Sequence, residues 1–421
     1  MVGGGTAIAF AGGPHRPRLL LVAAWLLSRA ALLAALVAGT TMVLGDVVLY
    51  QVWVRGMTSG HGLPVHDERW QYPPGAAVVL LIAGLAPRYM WGLVGVVLVA
   101  DAAVFFALLL RGQSPLGAAV WVVGPSLLGP LTYARFDVVP TAFAVCGLLW
   151  GRRPVLAGAA LAIGGWVKVW PVLLLGALRD RRAVPGALLG AAVASIGVVL
   201  ALAATGQLGG ATAFLAFQQA RGLQVESVAA TPFMVARAFG IGPPPVYQYG
   251  AMEVVTAGRD VAVAVCTAGE ALVLVLFAAA ALRAWRRPPP AAGPPAAGPP
   301  TAGPASADRA LALVLGLMVT SRVLSPQYLL WALGLAATAV AMGSRRQRTT
   351  AGLLLVAAAA SQLVYPMLYS GVLSGWPLPT GVLVVRNLLL IAATVSAVRG
   401  ARVHAAKVAR PSPAEDALVT A

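Results

Sequence analysis

Negative charge is scarce in this 421-residue chain: 13 acidic residues stand against 30 basic ones. Charged residues of both signs reach only 10%, against about 25% in a typical water-soluble domain. That deficit excludes a solvated globule. Lysine is nearly missing as well, with Lys168 and Lys407 alone among otherwise arginine cations. The two cysteines, Cys146 and Cys266, fall in apolar runs without metal-ligand spacing. They read as small buried residues, and no disulfide is expected. No histidine lies between His66 and His404. The chain has neither the GxxxxGK[ST] phosphate loop nor a GxGxxG between strand and helix, so a nucleotide-binding domain is excluded. If a bond is made here, its activated substrate arrives already in the membrane. The alternation of a membrane β-barrel is absent too.

What is present is apolar. Hydrophobic residues make up 59% of the chain, in recurrent runs of roughly 20, the length that crosses hydrocarbon as a helix. The expected fold is an all-α integral membrane protein of about 11–13 transmembrane helices with extracytoplasmic juxtamembrane helices. The net charge of +17 is broken into short clusters between apolar segments. That is the positive-inside pattern, and it argues against a nucleic-acid partner. The clusters are Arg16 and Arg18; Arg111; Arg152 and Arg153; Arg179, Arg181 and Arg182; Arg283, Arg286 and Arg287; Arg345, Arg346 and Arg348; and the tail from Arg399 to Arg410.

Threading spans between these clusters gives a cytoplasmic segment 1–18, one polytopic domain 19–398 and a disordered cytoplasmic tail 399–421. The first apolar helix is too long for a cleaved signal and is expected to stay as an anchor. Extracytoplasmic loops are expected at about 45–89 and 205–258. The stretch 75–87 is short for a crossing and reads as a juxtamembrane helix; 154–178 must break near Lys168 and Pro171. Residues 211–239 have helical periodicity, either lying on the membrane surface or packing on the bundle. Residues 288–307, rich in Pro, Ala and Gly, predict a disordered cytoplasmic linker.

The chemistry concentrates in the loop after the first span. Asp46 comes off the end of that helix, with Tyr50 and Trp53 close behind, then Asp67 and Glu68, then the rigid turn Tyr72-Pro73-Pro74. A carboxylate held at a membrane surface is a candidate for proton transfer. Basic residues recur on the side that the positive-inside pattern discourages: Arg135 beside Asp137, Lys168 before Trp170-Pro171, Arg221 before Glu226-Ser227, and Arg322 before Ser325-Pro326-Gln327-Tyr328. Placing a charge near hydrocarbon costs about 2.5–3.5 kcal/mol. A lipid phosphate supplies the anion that repays it. Blander readings stand beside this one: Arg135 pairing with Asp137, Lys168 snorkelling to the surface, and Arg322 serving a helix break. Asp101 and Glu270 lie inside spans and are expected to pair with neighbouring helices. His61 and His66, with Asp67 and Glu68, are the candidate ligands of a divalent metal, although no spacing compels one.

In order, these motifs resemble one family. Asp46, Tyr50, Trp53 and Tyr72-Pro73-Pro74 are similar to the first external loop of GT-C glycosyltransferases. Arg135-Phe136-Asp137 with Pro140, Gly158 through Pro171, Gly222 through Ser227, and Ser325 through Trp331 resemble glycosyltransferase family 87. The resemblance implies a GT-C-like bundle at the cell membrane with an extracytoplasmic site. It also implies a polyprenyl-phosphate sugar as donor and co-substrate, mannose being the expected sugar, and a glycolipid or glycan acceptor. Transfer would invert, with Asp46 as general base. Lys168, Arg322 and Arg135 would stabilise the departing phosphate; Tyr50, Tyr72, Asp137, Glu226, Gln327 and Tyr328 complete the expected substrate-binding set. A family histidine in a later external loop has no counterpart here. The alternative is a transporter or flippase of a lipid-linked sugar, expected to have a central tunnel lined by Asp101 and Glu270.

Overall fold

The computed structural model describes residues 16–39, 41–150, 153–178, 183–286 and 303–407. Seventeen helices run along the described chain. In order they are α1 (Arg16–Ala38), α2 (Gly45–Gly56), α3 (Gly75–Ala83), α4 (Tyr89–Arg111), α5 (Leu116–Leu128), α6 (Val138–Leu149), α7 (Pro154–Val167), α8 (Trp170–Leu173) and α9 (Val184–Ala204). There follow α10 (Ala213–Ala220), α11 (Thr231–Ala238), α12 (Arg259–Arg286), α13 (Pro304–Thr320), α14 (Leu329–Ala341), α15 (Gln347–Gln362), α16 (Tyr369–Ser374) and α17 (Pro377–Lys407).

Seven described stretches are long and apolar enough to cross a membrane: Arg16–Ala38, Tyr89–Arg111, Leu116–Tyr133, Val184–Ala204, Arg259–Arg283, Gln347–Met367 and Pro377–Arg402. The chain is an all-α polytopic membrane protein, as its composition predicts. Fewer helices are full-length than the 11–13 expected. α6, with 12 residues, is only about 18 Å long, short of the ~30 Å hydrocarbon layer. Its neighbours α7 and α14 are similarly short and apolar. These three bury half or more of their residues in the bundle, so lipid does not set their length. α7 and α9 touch backbone to backbone: a Cβ on Gly158 would sit 1.8 Å from the Ala187 carbonyl oxygen, and one on Gly190 1.9 Å from that of Val155. Small residues at such crossings let van der Waals contact replace the missing hydrophobic drive inside a membrane.

The turn after Arg111, the turn that carries Arg345 and Arg346, the start of α13 and the end of α17 near Arg399 meet at one end of the bundle. Backbone amides of Gln113 and Ser114 donate to the Ala341 carbonyl, Ser344 donates to Asp308 at 3.1 Å, and Gln347 donates to the Ala397 carbonyl. The opposite end is built from α2, α10, α11 and a small antiparallel sheet. Its strands are β1 (Leu223–Gln224), β2 (Val246–Gln248) and β3 (Ala251–Val254), in the order β1-β3-β2. Leu223 faces Val254, Gln224 faces Glu253, and Tyr247 faces Met252.

Several boundaries differ from expectation. The 211–239 stretch is two helices, not one, because Gly222 and the Glu226–Ser227 turn interrupt it and β1 pairs with β3. The expected linker overlaps α13, whose first residue, Pro304, has the fixed φ suited to a helix start; residues 288–302 lie outside the described set. The expected tail continues α17 as far as Lys407, and the rest lies outside the described residues, as do 1–15. The break near Lys168 is observed: α7 ends at Val167, Lys168 is extended, and α8 begins at Trp170.

Asp101, on α4, has the structural role expected of it. It is fully buried and accepts from Arg29 Nε and Nη2, both at 2.8 Å, from Trp25 and Trp121, and from the Tyr133 hydroxyl. This ties α1, α4 and α5 together. Arg29 is a buried cation that helix-end bookkeeping overlooks. Removing one partner of such a pair strands the other charge, at about 3–5 kcal/mol. Asp101→Ala is therefore expected to lower the melting temperature of the detergent-solubilised protein sharply; an unchanged melt would contradict the role assigned to this pair.

Candidate functional site

At the end away from the arginine-rich turns lies a cavity of about 490 Å³. Asp46, Tyr72, Arg135, Lys168, Arg221, Glu226, Gln327 and Tyr328 all line it. Asp46 does not trail off a helix as expected. α1 ends at Ala38, a short turn Thr41–Leu44 follows, and Asp46 stands in the first turn of α2. An anion is favoured at that position by the helix dipole. Its side chain is 35% exposed, and one oxygen lies 2.7 Å from Arg135 Nε. The contact is charge to charge, since that Nε has no aligned acceptor. Arg135 Nη1 donates instead to the Val43 and Ala134 carbonyls, which pins the guanidinium under the carboxylate.

The alternative pairing of Arg135 with Asp137 does not form. Asp137, buried at the start of α6, faces the other way and accepts from Lys168 Nζ at 2.7 Å and from Trp331 Nε1 at 2.8 Å. Asp137 is thus a support behind the cavity and not one of its lining residues. Lys168 does not snorkel: it is 8% exposed. Its ammonium sits 5.1–5.4 Å from the ring centres of Tyr72, Phe136, Tyr328 and Trp331, a cage that favours a cation. Burial opposes its charge, but the Asp137 carboxylate outweighs it and holds the amine above its ordinary value. Tyr328 stacks on Trp331 with ring centres 4.0 Å apart, and Trp170 stacks on Trp331 with centres 5.5 Å apart.

Tyr50 also lies behind the wall. It is buried against Trp53, Tyr72 and Phe136, so it shapes the cavity through Tyr72 and does not line it. Arg322 is displaced as well. Its Nη1 donates to the Gln219 and Arg221 carbonyls, and its side chain lines a neighbouring cavity. Arg221, marked in the sequence as an outer cation but not placed in the expected substrate-binding set, takes its place in the first cavity. It donates to Gln71 Oε1 at 2.7 Å, while its buried Nε has no hydrogen-bond partner. Glu270 lines a third, more apolar cavity of about 380 Å³ that shares Tyr72, Lys168 and Tyr328 with the first. Among the described residues no group of three His, Cys, Asp or Glu side chains is arranged to hold a metal ion; Asp67 pairs with Arg69 and Trp53.

Glu226 lines the cavity yet is almost fully buried. Arg386 of α17 donates to its backbone carbonyl at 2.9 Å and lies 3.8 Å from its carboxylate. Asn387 holds the next residue, Ser227, through its carbonyl. Arg386 and Asn387 were missed in the sequence. Their signal was there: two strongly polar residues inside the apolar run of α17, which by default mark a function or a partner.

Burial pushes the Glu226 carboxyl up from its ordinary 4.5 to about 7, against the opposing pull of Arg386 and Gln224. The folded state therefore holds this proton more tightly than the unfolded chain. Its contribution to stability is full below about pH 4.5 and is lost as pH rises through about 7. Glu226→Gln is expected to flatten the fall of melting temperature across that window. Parallel profiles for variant and wild type would contradict it.

The model of glycosyltransferase family 87 matches residues 70–298, more than half of the chain. The match takes in Tyr72, Arg135, Asp137, Lys168, Arg221 and Glu226; Asp46, Arg322, Gln327 and Tyr328 fall outside it. No curated protein and no solved structure matches the chain.

Proposed function

The chain belongs to glycosyltransferase family 87, and from that premise we propose that it moves a sugar, mannose by expectation, from a polyprenyl-phosphate donor to a glycolipid or glycan acceptor at the extracytoplasmic face of the cell membrane. The observation that carries this reading is the shared cavity of Asp46 and Lys168, one a partly exposed carboxylate, the other a caged ammonium. In the proposed step, Asp46 takes the proton of an acceptor hydroxyl. The oxygen attacks the anomeric carbon from the face opposite the phosphate. The carbon–oxygen bond to phosphate breaks, its electron pair stays on the phosphate oxygen, and configuration inverts.

The arrangement suits each role. Arg135 Nε lies 2.7 Å from an Asp46 oxygen and fixes where that carboxylate stands. Lys168 offers positive charge to the departing phosphate in a site screened from water. With Arg322 turned away, Arg221 joins Lys168 and Arg135 among the cations that line the cavity. Tyr72, Tyr328, Gln327 and Glu226 present hydroxyl, amide and carboxyl groups to the sugar. The apolar cavity that continues past Lys168 suits the isoprenoid tail. The transport alternative calls for a tunnel lined by both Asp101 and Glu270; Asp101 is instead held by Arg29 and fully buried while Glu270 alone lines a cavity, which supports the transfer reading.

A general base typically contributes about 10²–10⁴ in rate. Asp46→Asn is therefore expected to cut transfer from labelled polyprenyl-phosphate mannose by that order, with the protein still folded and inserted in the membrane. Full activity in this variant would remove Asp46 as the base. Running the arabinose-bearing donor in parallel identifies the sugar.

A further inference from the structure

Next to the first cavity is another, of about 350 Å³, with Arg221 and Tyr249 forming the wall common to both. Three arginines from three separate elements line it: Arg221 after α10, Arg259 at the start of α12, and Arg322 after α13. Their charges are not used up. Arg322 Nη1 meets two carbonyls, and Arg221 Nε is buried without a hydrogen-bond partner among the described residues. Arg259 pairs with Asp260, which is 86% exposed and stands at the rim of the same cavity, so three guanidinium groups face two carboxylates there. The floor holds Glu253, 1% exposed. One of its oxygens accepts from the Gly222 amide at 3.1 Å; the other, Oε1, has no hydrogen-bond partner among the described residues. Burial raises this carboxyl above its ordinary value despite Arg221 and the Gly222 amide.

The wall is strained. Tyr249 and Gly250 form the two-residue turn between β2 and β3 with φ of +49° and +77°. Both central residues of a type I′ turn require positive φ, which favours Asn-Gly; a tyrosine is costly there. Gln71 fixes the strained residue by donating to its carbonyl at 2.8 Å and joins it to Arg221. A strained aromatic between two polar cavities, with buried donors and an acceptor left open beside it, points to a ligand.

We infer that this second cavity binds the head of the acceptor, and that the head is a phosphate ester bearing hydroxyl groups. The arginines take the phosphate oxygens through charge-assisted hydrogen bonds. Glu253 Oε1 accepts from a hydroxyl. Tyr249 sets how far the head reaches into the first cavity, where Asp46 waits for the hydroxyl that is glycosylated. This assignment rests on the transferase reading, but its binding test does not.

The full-length protein in detergent is titrated calorimetrically with glycerol 1-phosphate, dihexanoylphosphatidylglycerol and inorganic phosphate. Both glycerol probes are expected to bind, more tightly than inorganic phosphate. Kd should rise at least tenfold in Arg259→Gln, which alters only a half-exposed side chain, and further in Arg259→Gln/Arg322→Gln. Tighter binding of the lipid assigns a membrane-borne acceptor; tighter binding of the free ester assigns a soluble one. Failure of both glycerol probes to bind, or equal Kd in wild type and Arg259→Gln, overturns the site. Tyr249→Asn supplies the sequence that the turn favours. It is expected to melt no lower than wild type, yet to slow transfer from labelled polyprenyl-phosphate mannose at least tenfold with the donor KM unchanged. A raised donor KM would move the cavity to the donor side. Asp46→Asn should bind the probes as wild type does, so a failed base and a failed subsite give different results.

Discussion

Three consecutive residues between α5 and α6 hold the site together by sending their charges in opposite directions. Arg135 reaches Asp46 on α2, and Asp137 reaches Lys168 after α7. Phe136 between them fills the space under Tyr50 and Tyr72 and faces the lysine ammonium. Each ion pair crosses between segments far apart in sequence, so one short stretch fixes both ends of the proposed reaction. A carboxylate is held where a hydroxyl arrives, and a cation where a phosphate leaves. Both pairs are partly or wholly withdrawn from water, where charge interactions are least screened. The arginine-rich turns gather at the other end of the bundle.

The rest of the polar end supports this arrangement from behind. α17 supplies Arg386 and Asn387 to hold the Glu226–Ser227 turn. The small sheet sets Tyr249 and Glu253 beside Arg221. Two further cavities then meet the central one: an apolar extension past Lys168 and an arginine-lined annexe past Tyr249. One route is suited to a lipid tail and the other to a charged head, and they reach the proposed reaction centre through different walls.

Much of this was legible in the chain, for physical reasons. Long apolar runs specify membrane helices almost irrespective of neighbours, and cations against the positive-inside pattern marked Arg135, Lys168 and Arg221. The break at Lys168 was visible because Pro171 cannot continue a helix interior. Pairing was not legible. Adjacent Arg135 and Asp137 invite a local bridge, yet the turn before α6 points them apart, and only the fold shows their distant partners. Arg29 and Arg386 were overlooked because they sit inside apolar runs and not at their ends. The sheet escaped because two- to four-residue strands carry no periodicity. Tyr50 and Arg322 lay in the right motifs, but a motif does not say which wall of a cavity a side chain faces.

The most direct measurement is a structure of the protein with a non-hydrolysable phosphonate analogue of a polyprenyl-phosphate sugar. The account predicts phosphorus beside Lys168 Nζ, the isoprenoid chain in the apolar extension, and the anomeric carbon facing Asp46. Phosphonate bound at the arginine-rich end, or a sugar turned away from Asp46, would contradict it.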